Sequence, residues 1–289
     1  MAKMEKPGNK VAAAGGKMKD FIRDEAAVPS VVDRDVFQAE LEALRVREKA
    51  HTREGDAIAA ARRRLPVVKV DSATPLIGEH GPVTLLDAFE GRRLLIAYYF
   101  MWHAGAPAPE QCEGCTWVTA HIRELAYFHA RDVTYATFCQ GPYKESARYR
   151  DFMGWEMPWY SAPQESLETL LVGRRIGMMH IVCYLRQGSN VYETYWTTRR
   201  GVEVMDNSYH LLDLTVYGRQ EDWEDSPVGW SQTGVLDFLR ADDPEAVAKD
   251  KQNTHTHERP TVQWARLKAG YSDDLGNDPG GKHEGGCFK

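Results

Sequence analysis

The sequence holds no apolar run approaching the roughly 18–20 residues that a membrane-spanning helix needs. Its first thirty residues carry no apolar stretch longer than Val11 to Ala14. Neither a bilayer span nor a secretory signal is expected, and the expected address is the cytoplasm. Positive charge is also short. Asp and Glu outnumber Lys and Arg by 42 to 36, leaving a net charge of −6, so no electrostatic pull towards nucleic acid or an anionic membrane is expected. Cysteine is scarce and odd in number, five in 289 residues, which argues against a disulfide framework. A nucleotide P-loop, G-x-S-x-G and H-E-x-x-H are all missing, which removes the common nucleotide-binding, serine-hydrolase and zinc-protease readings. No internal repeat is visible. What the chain does have is apolar material, 43% hydrophobic and 10% aromatic, enough for a sizeable core.

Residues 1 to 28, rich in Lys, Gly and Ala without periodicity, read as a flexible arm. A helical extension follows over 29–66. Val36, Phe37, Leu41, Leu44 and Val46 fall at helical spacing after the capping candidates Asp33 and Asp35, and Asp56 to Leu65 forms a second helical stretch stopped by Pro66. Arg62, Arg63 and Arg64 read as a solvated helix end.

From Val67 short strands and helices alternate. Val67 to Val70 is a strand, Gly81-Pro82 a turn, and Val83 to Phe89 a short helix or turn closed by Gly91. Leu94 to Met101 (LLIAYYFM) is a continuous apolar run, as expected of a strand covered on both faces. Thr116 to Ala130 reads as a helix, Val133 to Cys139 as a strand, and Pro142 to Phe152 as a helix bounded by Pro142 and Gly154. Ile181 to Arg186 and Val191 to Trp196 flank a hairpin turn, and Tyr209 to Val216 is helical or mixed. Strand, helix, strand, helix, hairpin, helix is the ground plan of a thioredoxin-like core. The fold class is therefore α/β, a three-layer α/β/α sandwich over residues 67–225. A polar, loop-rich tail follows over 226–289.

The most informative feature is Cys112-Glu113-Gly114-Cys115, between LLIAYYFM with its Pro/Gly/Ala loop and the helix from Thr116. Two thiols so spaced can close a small disulfide when the second lies in the first helical turn. The first then faces unsatisfied N–H groups and the positive end of the helix dipole, which favours its thiolate, the attacking species. Cys112 is expected to attack as the more exposed thiol and Cys115 to resolve. Glu110 and Glu113 oppose the activation. His103 in the loop opposes them in turn, although a solvent-exposed loop histidine is the plainer reading. The competing possibilities are half of a zinc site, with His255 and His257 the only histidine pair in the tail, or a pair that merely packs a helix start. Cys139, ending the next strand, reads as a buried thiol beside the pair, Cys183 as core, and Cys287 as exposed and incidental. The aromatic segments Trp155 to Tyr160 and Tyr192 to Trp196 read as core and sheet face, with a substrate groove as the alternative.

Several runs resemble one family: Leu44 to Ala57, Gly81 to Arg93, Cys112 to Trp117, Met153 to Trp159, Asp206 to Thr215 and Tyr217 to Glu221. Together, over about residues 40 to 225, they resemble DUF899, a bacterial family of thioredoxin-like proteins usually described as predicted dithiol-disulfide oxidoreductases. The resemblance implies the fold and carries the family's CxxC onto Cys112 and Cys115. In thioredoxins a cis-proline faces the CxxC; here no proline stands between Pro163 and Pro227, and Met179 or His180 takes that place. The P-x-x-x-T-x-x-C signature of peroxiredoxins is missing as well, with Gly105 and Pro109 before Cys112, and Ala108 and Cys112 before Cys115.

The expected function is thiol–disulfide exchange by Cys112 and Cys115, without cofactor or metal, on a protein or small-molecule disulfide or thiol substrate. No nucleic-acid or membrane partner is expected, and a homo-oligomer stays open. The alternative is a non-catalytic binding protein on the same fold, its CxxC structural or a metal half-site.

Overall fold

The computed structural model describes residues 27–108, 111–221 and 224–230. The arm, save its last two residues, and the tail beyond Trp230 lie outside them. The helical extension is a single helix, α1 (Arg34–Arg62), of 29 residues rather than two stretches. Between Val46 and Asp56 stand charged and alanine residues with no proline, so nothing interrupts the ladder; Gly55 costs about 1 kcal/mol relative to alanine. Asp33 occupies the N-cap position without a side-chain bond, and no residue of α1 is buried.

Eight strands follow: β1 (Val68–Val70), β2 (Pro75–Gly78), β3 (Gly81–Thr84), β4 (Leu94–Phe100), β5 (Val133–Cys139), β6 (Trp159–Ser161), β7 (His180–Gln187) and β8 (Asn190–Thr198). They form one sheet in the order β1-β8-β7-β4-β5-β6-β2-β3. β4 and β5 run parallel, from Leu94 opposite Val133 to Phe100 opposite Cys139. β7 lies antiparallel on the other side of β4, and β8 returns along it as a hairpin. A β-α-β unit whose strands stand in the order β5-β4-β7-β8 with the hairpin is a thioredoxin-like core. β6, β2 and β3 widen the sheet beyond it, and Pro82 is accommodated because β3 is an edge strand.

Five helices accompany these strands: α2 (Glu113–Ala120), α3 (Ala126–His129), α4 (Tyr143–Met153), α5 (Gln164–Leu170) and α6 (Asn207–Leu212). Crossovers between parallel neighbours are nearly always right-handed, which for β4-α2-β5 and β5-α4-β6 calls for α2 and α4 on one face. The packing agrees. Cys115 and Val118 of α2 and Tyr149, Phe152 and Met153 of α4 share a buried cluster with Tyr98 and Phe100. Leu167 and Leu170 of α5 cover the other face against Leu95, Ala97 and Tyr99. β4 alternates between these two clusters, which is why its sequence is apolar without a break.

Some boundaries differ from the sequence reading. Thr116 to Ala130 is not one helix: α2 ends at Ala120 and α3 begins at Ala126. His121 Nδ1 lies 2.9 Å from the Trp117 carbonyl, and its own N–H turns to the Val118 and Thr119 carbonyls, so the α-helical ladder tightens and stops. Val83 to Phe89 divides into the end of β3 and a 3-10 turn at Asp87–Phe89. Tyr209 to Val216 is helical only to Leu212 as part of α6, which follows a 3-10 segment at Arg199–Met205. The helix over Pro142 to Phe152 is α4, with Pro142 at its N-cap and Gly154 left-handed at φ 66° after its last turn.

Phe100 is fully buried, with the rings of Trp159, Trp155, Tyr149 and Trp102 between 5.5 and 6.4 Å away. Phe100→Ala is expected to destabilise the domain by about 3–5 kcal/mol. Urea unfolding measures it, and a loss under about 1 kcal/mol would mean that this cluster does not hold β4 to α2 and α4.

Candidate functional site

β4 delivers the chain to a loop, Met101 to Gln111, that returns to start α2 directly above the strand's end. Cys112 is the N-cap of α2, and its sulfur accepts the Cys115 N–H at 3.4 Å. Its carbonyl accepts from Thr116, through the backbone N–H at 3.0 Å and the hydroxyl at 2.8 Å. Cys115, one turn on, receives the Met101 N–H at 3.4 Å. The pair thus bridges the end of β4 and the beginning of α2. At the far end of α2, His121 Nε2 lies 2.6 Å from Ser208 Oγ, which ties the helix to α6.

Cys112 is the more exposed thiol, as expected, but only by 6% against 0% for Cys115. Both are buried. Gln111, just before the pair, clasps the preceding loop. Its Oε1 accepts from His103 N–H at 3.1 Å, and its Nε2 donates to the carbonyls of His103 and Ala106, both at 2.9 Å. Glu145 of α4 holds the other side, with one carboxylate oxygen accepting from Trp102 Nε1 and Gly105 N–H at 3.0 Å each. Gly141 makes room for this arrangement, because a Cβ there would lie 2.1 Å from the Trp102 ring. His103 is half-buried rather than a freely exposed loop residue. Glu110 lies outside the described residues, and only the backbone of Glu113 is described.

Burial pushes the Cys115 thiol well above its ordinary range, and the neighbouring Cys112 sulfur adds to the rise; Tyr98 and the Met101 N–H pull it back. Tyr98 itself is fully buried, and its Oη makes no completed hydrogen bond. Burial, with the two sulfurs beside it, holds it as a neutral phenol.

Cys139 lies in the same buried cluster as Cys112 and Cys115, and Cys183 packs against it. Cys139 is fully buried opposite Phe100. Burial pushes its thiol up to about 12, and its partners are the Ser146 side chain and the Gly141 backbone. Cys183 is half-buried on β7 rather than core, and burial pushes it up to about 11. Cys287, His255 and His257 lie outside the described residues. Among the described residues no group of three or more His, Cys, Asp or Glu side chains is placed to hold a metal. Trp155, Met157 and Trp159 are buried core, while Trp155 and Glu156 also edge a small cavity with Ile122, Arg123 and Gly154. In the second aromatic segment Tyr195 lies under Arg62 at 5.0 Å and Trp196 under Arg174 at 4.5 Å, so these rings carry cations on the sheet face. Met179, just before β7, is buried in the same cluster as Cys112 and Cys115.

The model of the family described as "Bacterial protein of unknown function (DUF899)" matches residues 26–242. The chain belongs to DUF899. No curated protein matches it. Among solved structures it is similar to the peroxidoxin BcpB of Mycobacterium tuberculosis, at 15% identity and a TM-score of 0.34, over 45% of this chain and 86% of that one. It is similar also to a thioredoxin of Wuchereria bancrofti, at 16% identity and 0.32, over 48% and 90%. A peroxiredoxin Q variant of Xanthomonas campestris stands at 14% and 0.33, over 49% and 92%. The fold assignment of this DUF899 member rests on its own strand order and crossovers.

Sequence reasoning passed over Gln111, Glu145 and Tyr98. A hydroxyl inside a strand covered on both faces was the available signal for Tyr98, and the position just before Cys112 for Gln111. Gln111→Ala removes three hydrogen bonds that close the loop. The variant is expected to lose about 1–3 kcal/mol of stability and to alkylate faster at Cys112, read by timed iodoacetamide quenching; an unchanged rate would mean that the loop does not control access. The raised thiols give a pH dependence of their own. Unfolding returns Cys139 and Cys183 to about 8.5, so the stability from keeping them neutral is full below that pH and is lost as pH rises towards their folded values. Urea midpoints are expected to fall between about pH 8 and 11, and less steeply in Cys139→Ala. Equal slopes in the two proteins would remove Cys139 from that account.

Proposed function

We propose that this chain is a dithiol–disulfide oxidoreductase in which Cys112 attacks and Cys115 resolves. The observation that carries it is Cys112 at the N-cap of α2, its sulfur on the Cys115 N–H at 3.4 Å. In that place a thiolate gains a donor and the positive end of the helix. As reductant, the Cys112 thiolate attacks one sulfur of a substrate disulfide, and the other leaves as a thiolate that takes up a proton. Cys115 then gives up its proton and attacks Cys112 Sγ. The Cys112–Cys115 bond forms, the mixed disulfide breaks, and the second substrate thiol departs. Two electrons pass from the pair to the substrate, and no cofactor enters.

The loop held by Gln111 and Glu145 opens to admit the substrate, a protein or small-molecule disulfide. A net charge of −6 supplies no pull towards nucleic acid. No described helix is long and apolar enough to cross a membrane, and the proposed setting is the cytoplasm, where the pair acts as a reductant. The thioredoxin-like domain spans residues 67–225, with α1 as an extension before it.

The burial of both sulfurs favours a second reading, a binding protein on the same frame whose pair is structural. A glutathione redox titration with mass-spectrometric assignment separates the two. A reversible Cys112–Cys115 disulfide within roughly −180 to −270 mV is expected, with disulfide reduction abolished in Cys112→Ser. If the disulfide forms at no poise, the exchange reading falls and the binding protein stands.

A further inference from the structure

The face of the sheet beneath α2 carries hydroxyls that a purely apolar core would not need. Tyr98 on β4 is fully exposed to protein and not at all to water. Thr137 on β5 is its direct partner across the parallel ladder, and Tyr135 lies two residues before Thr137 on the same face. All three hydroxyls are buried and none has a completed hydrogen bond. An unmade hydrogen bond in a core is costly, and phenylalanine would fill the place of Tyr98 without that cost. The remaining question is which state of the molecule uses its oxygen.

We propose that Tyr98 is the hydrogen-bond donor to the Cys115 thiolate, turning its O–H onto the sulfur in the step where the Cys112–Cys115 bond forms or breaks. This rests on the exchange reading above. Tyr98 and Cys115 share one buried cluster, and the phenol already favours the ionised form of Cys115 over the thiol. A thiol is a weak acceptor and leaves the phenol unpaired. A thiolate is a strong one. With the Met101 N–H already on that sulfur at 3.4 Å, the thiolate would have two donors in a place where water has no access.

The chemistry is simplest in the reductive direction. A glutathione thiolate attacks Cys112 Sγ, the more exposed sulfur of the disulfide. A bond forms between glutathione and Cys112, the bond to Cys115 breaks, and Cys115 leaves as the thiolate held by Tyr98 and Met101. A second glutathione thiolate then attacks the glutathione sulfur of that mixed disulfide; oxidised glutathione forms, the bond to Cys112 breaks, and both cysteine thiolates take up protons.

The test is Tyr98→Phe in the full chain, with two rates compared with those of the unmodified protein. One is reduction of the oxidised pair by glutathione, where Cys115 must leave. The other is alkylation of Cys112 in the reduced protein, where it does not. Loss of a hydrogen bond to a charged group is expected to slow reduction about tenfold to a hundredfold, while alkylation stays unchanged. Thermal stability of the reduced protein is expected to stay close to that of the unmodified one, since the thiol of Cys115 is only a weak acceptor. Reduction within twofold of the unmodified rate overturns the proposal, and so does a parallel change in both rates, which would mark a packing role. If the unmodified protein forms no Cys112–Cys115 disulfide, the exchange reading fails, and this proposal with it. Should Tyr98→Phe not fold, 3-fluorotyrosine at position 98 keeps the shape with a more acidic phenol. Reduction then speeds up several-fold, and an unchanged rate overturns the assignment.

Discussion

The contact between the Met101 N–H and the Cys115 sulfur joins the end of the central strand β4 to the first turn of α2, and much of the site follows from it. Once the helix start is seated there, water is displaced from both thiols. Every polar group nearby must then find its partner within the protein. Thr116 does so through the Cys112 carbonyl and Tyr149 Oη, and the loop does so through Gln111 and Glu145. Tyr98, Tyr135 and Thr137 do not. Trp117 and Thr119 of α2 and Trp155 also leave a buried polar atom without a partner, but of these groups Tyr98 is the one that bears on the ionisation of Cys115.

The same seating sets the conflict between reactivity and access. A thiol at a helix N-terminus is electrostatically favoured as a thiolate, yet a fully desolvated thiol is not. Cys112 and Cys115 divide these influences. The first accepts the helix-start N–H, and the second lies under it with burial raising its pKa. Cys139, also raised by burial, has the Ser146 side chain and the Gly141 backbone as its partners.

Much of this was legible in the sequence where the signal is local. β5 runs from Val133 to Cys139 as the β-branched and aromatic pattern indicated, and Pro142 and Gly154 bracket α4. The CxxC at a helix start was equally plain. β2, β3 and β6 were not, because strands of three or four residues hold their places through partners far along the chain rather than through periodicity; Ile77 opposite Ser161 is one such pairing. The break after α2 hides in the reach of one imidazole to the Trp117 carbonyl. The loop before Cys112 is held by a glutamine amide folding back across eight residues to His103, a contact that composition does not announce.

Two pairings of the sheet join distant parts of the chain. Val70 of β1 lies opposite Val191 of β8, and Leu94 of β4 opposite Leu185 of β7. During vectorial synthesis, at about 5–20 residues per second, β1 emerges and must wait for β8 before it has a neighbour. β4 can pair early with β5, but the flank that β7 covers stays bare. The ribosome therefore releases Cys112, Cys115 and Cys139 into the surrounding redox buffer before the hairpin closes the sheet, and the folded protein's thiol chemistry begins with whatever state they hold at that moment.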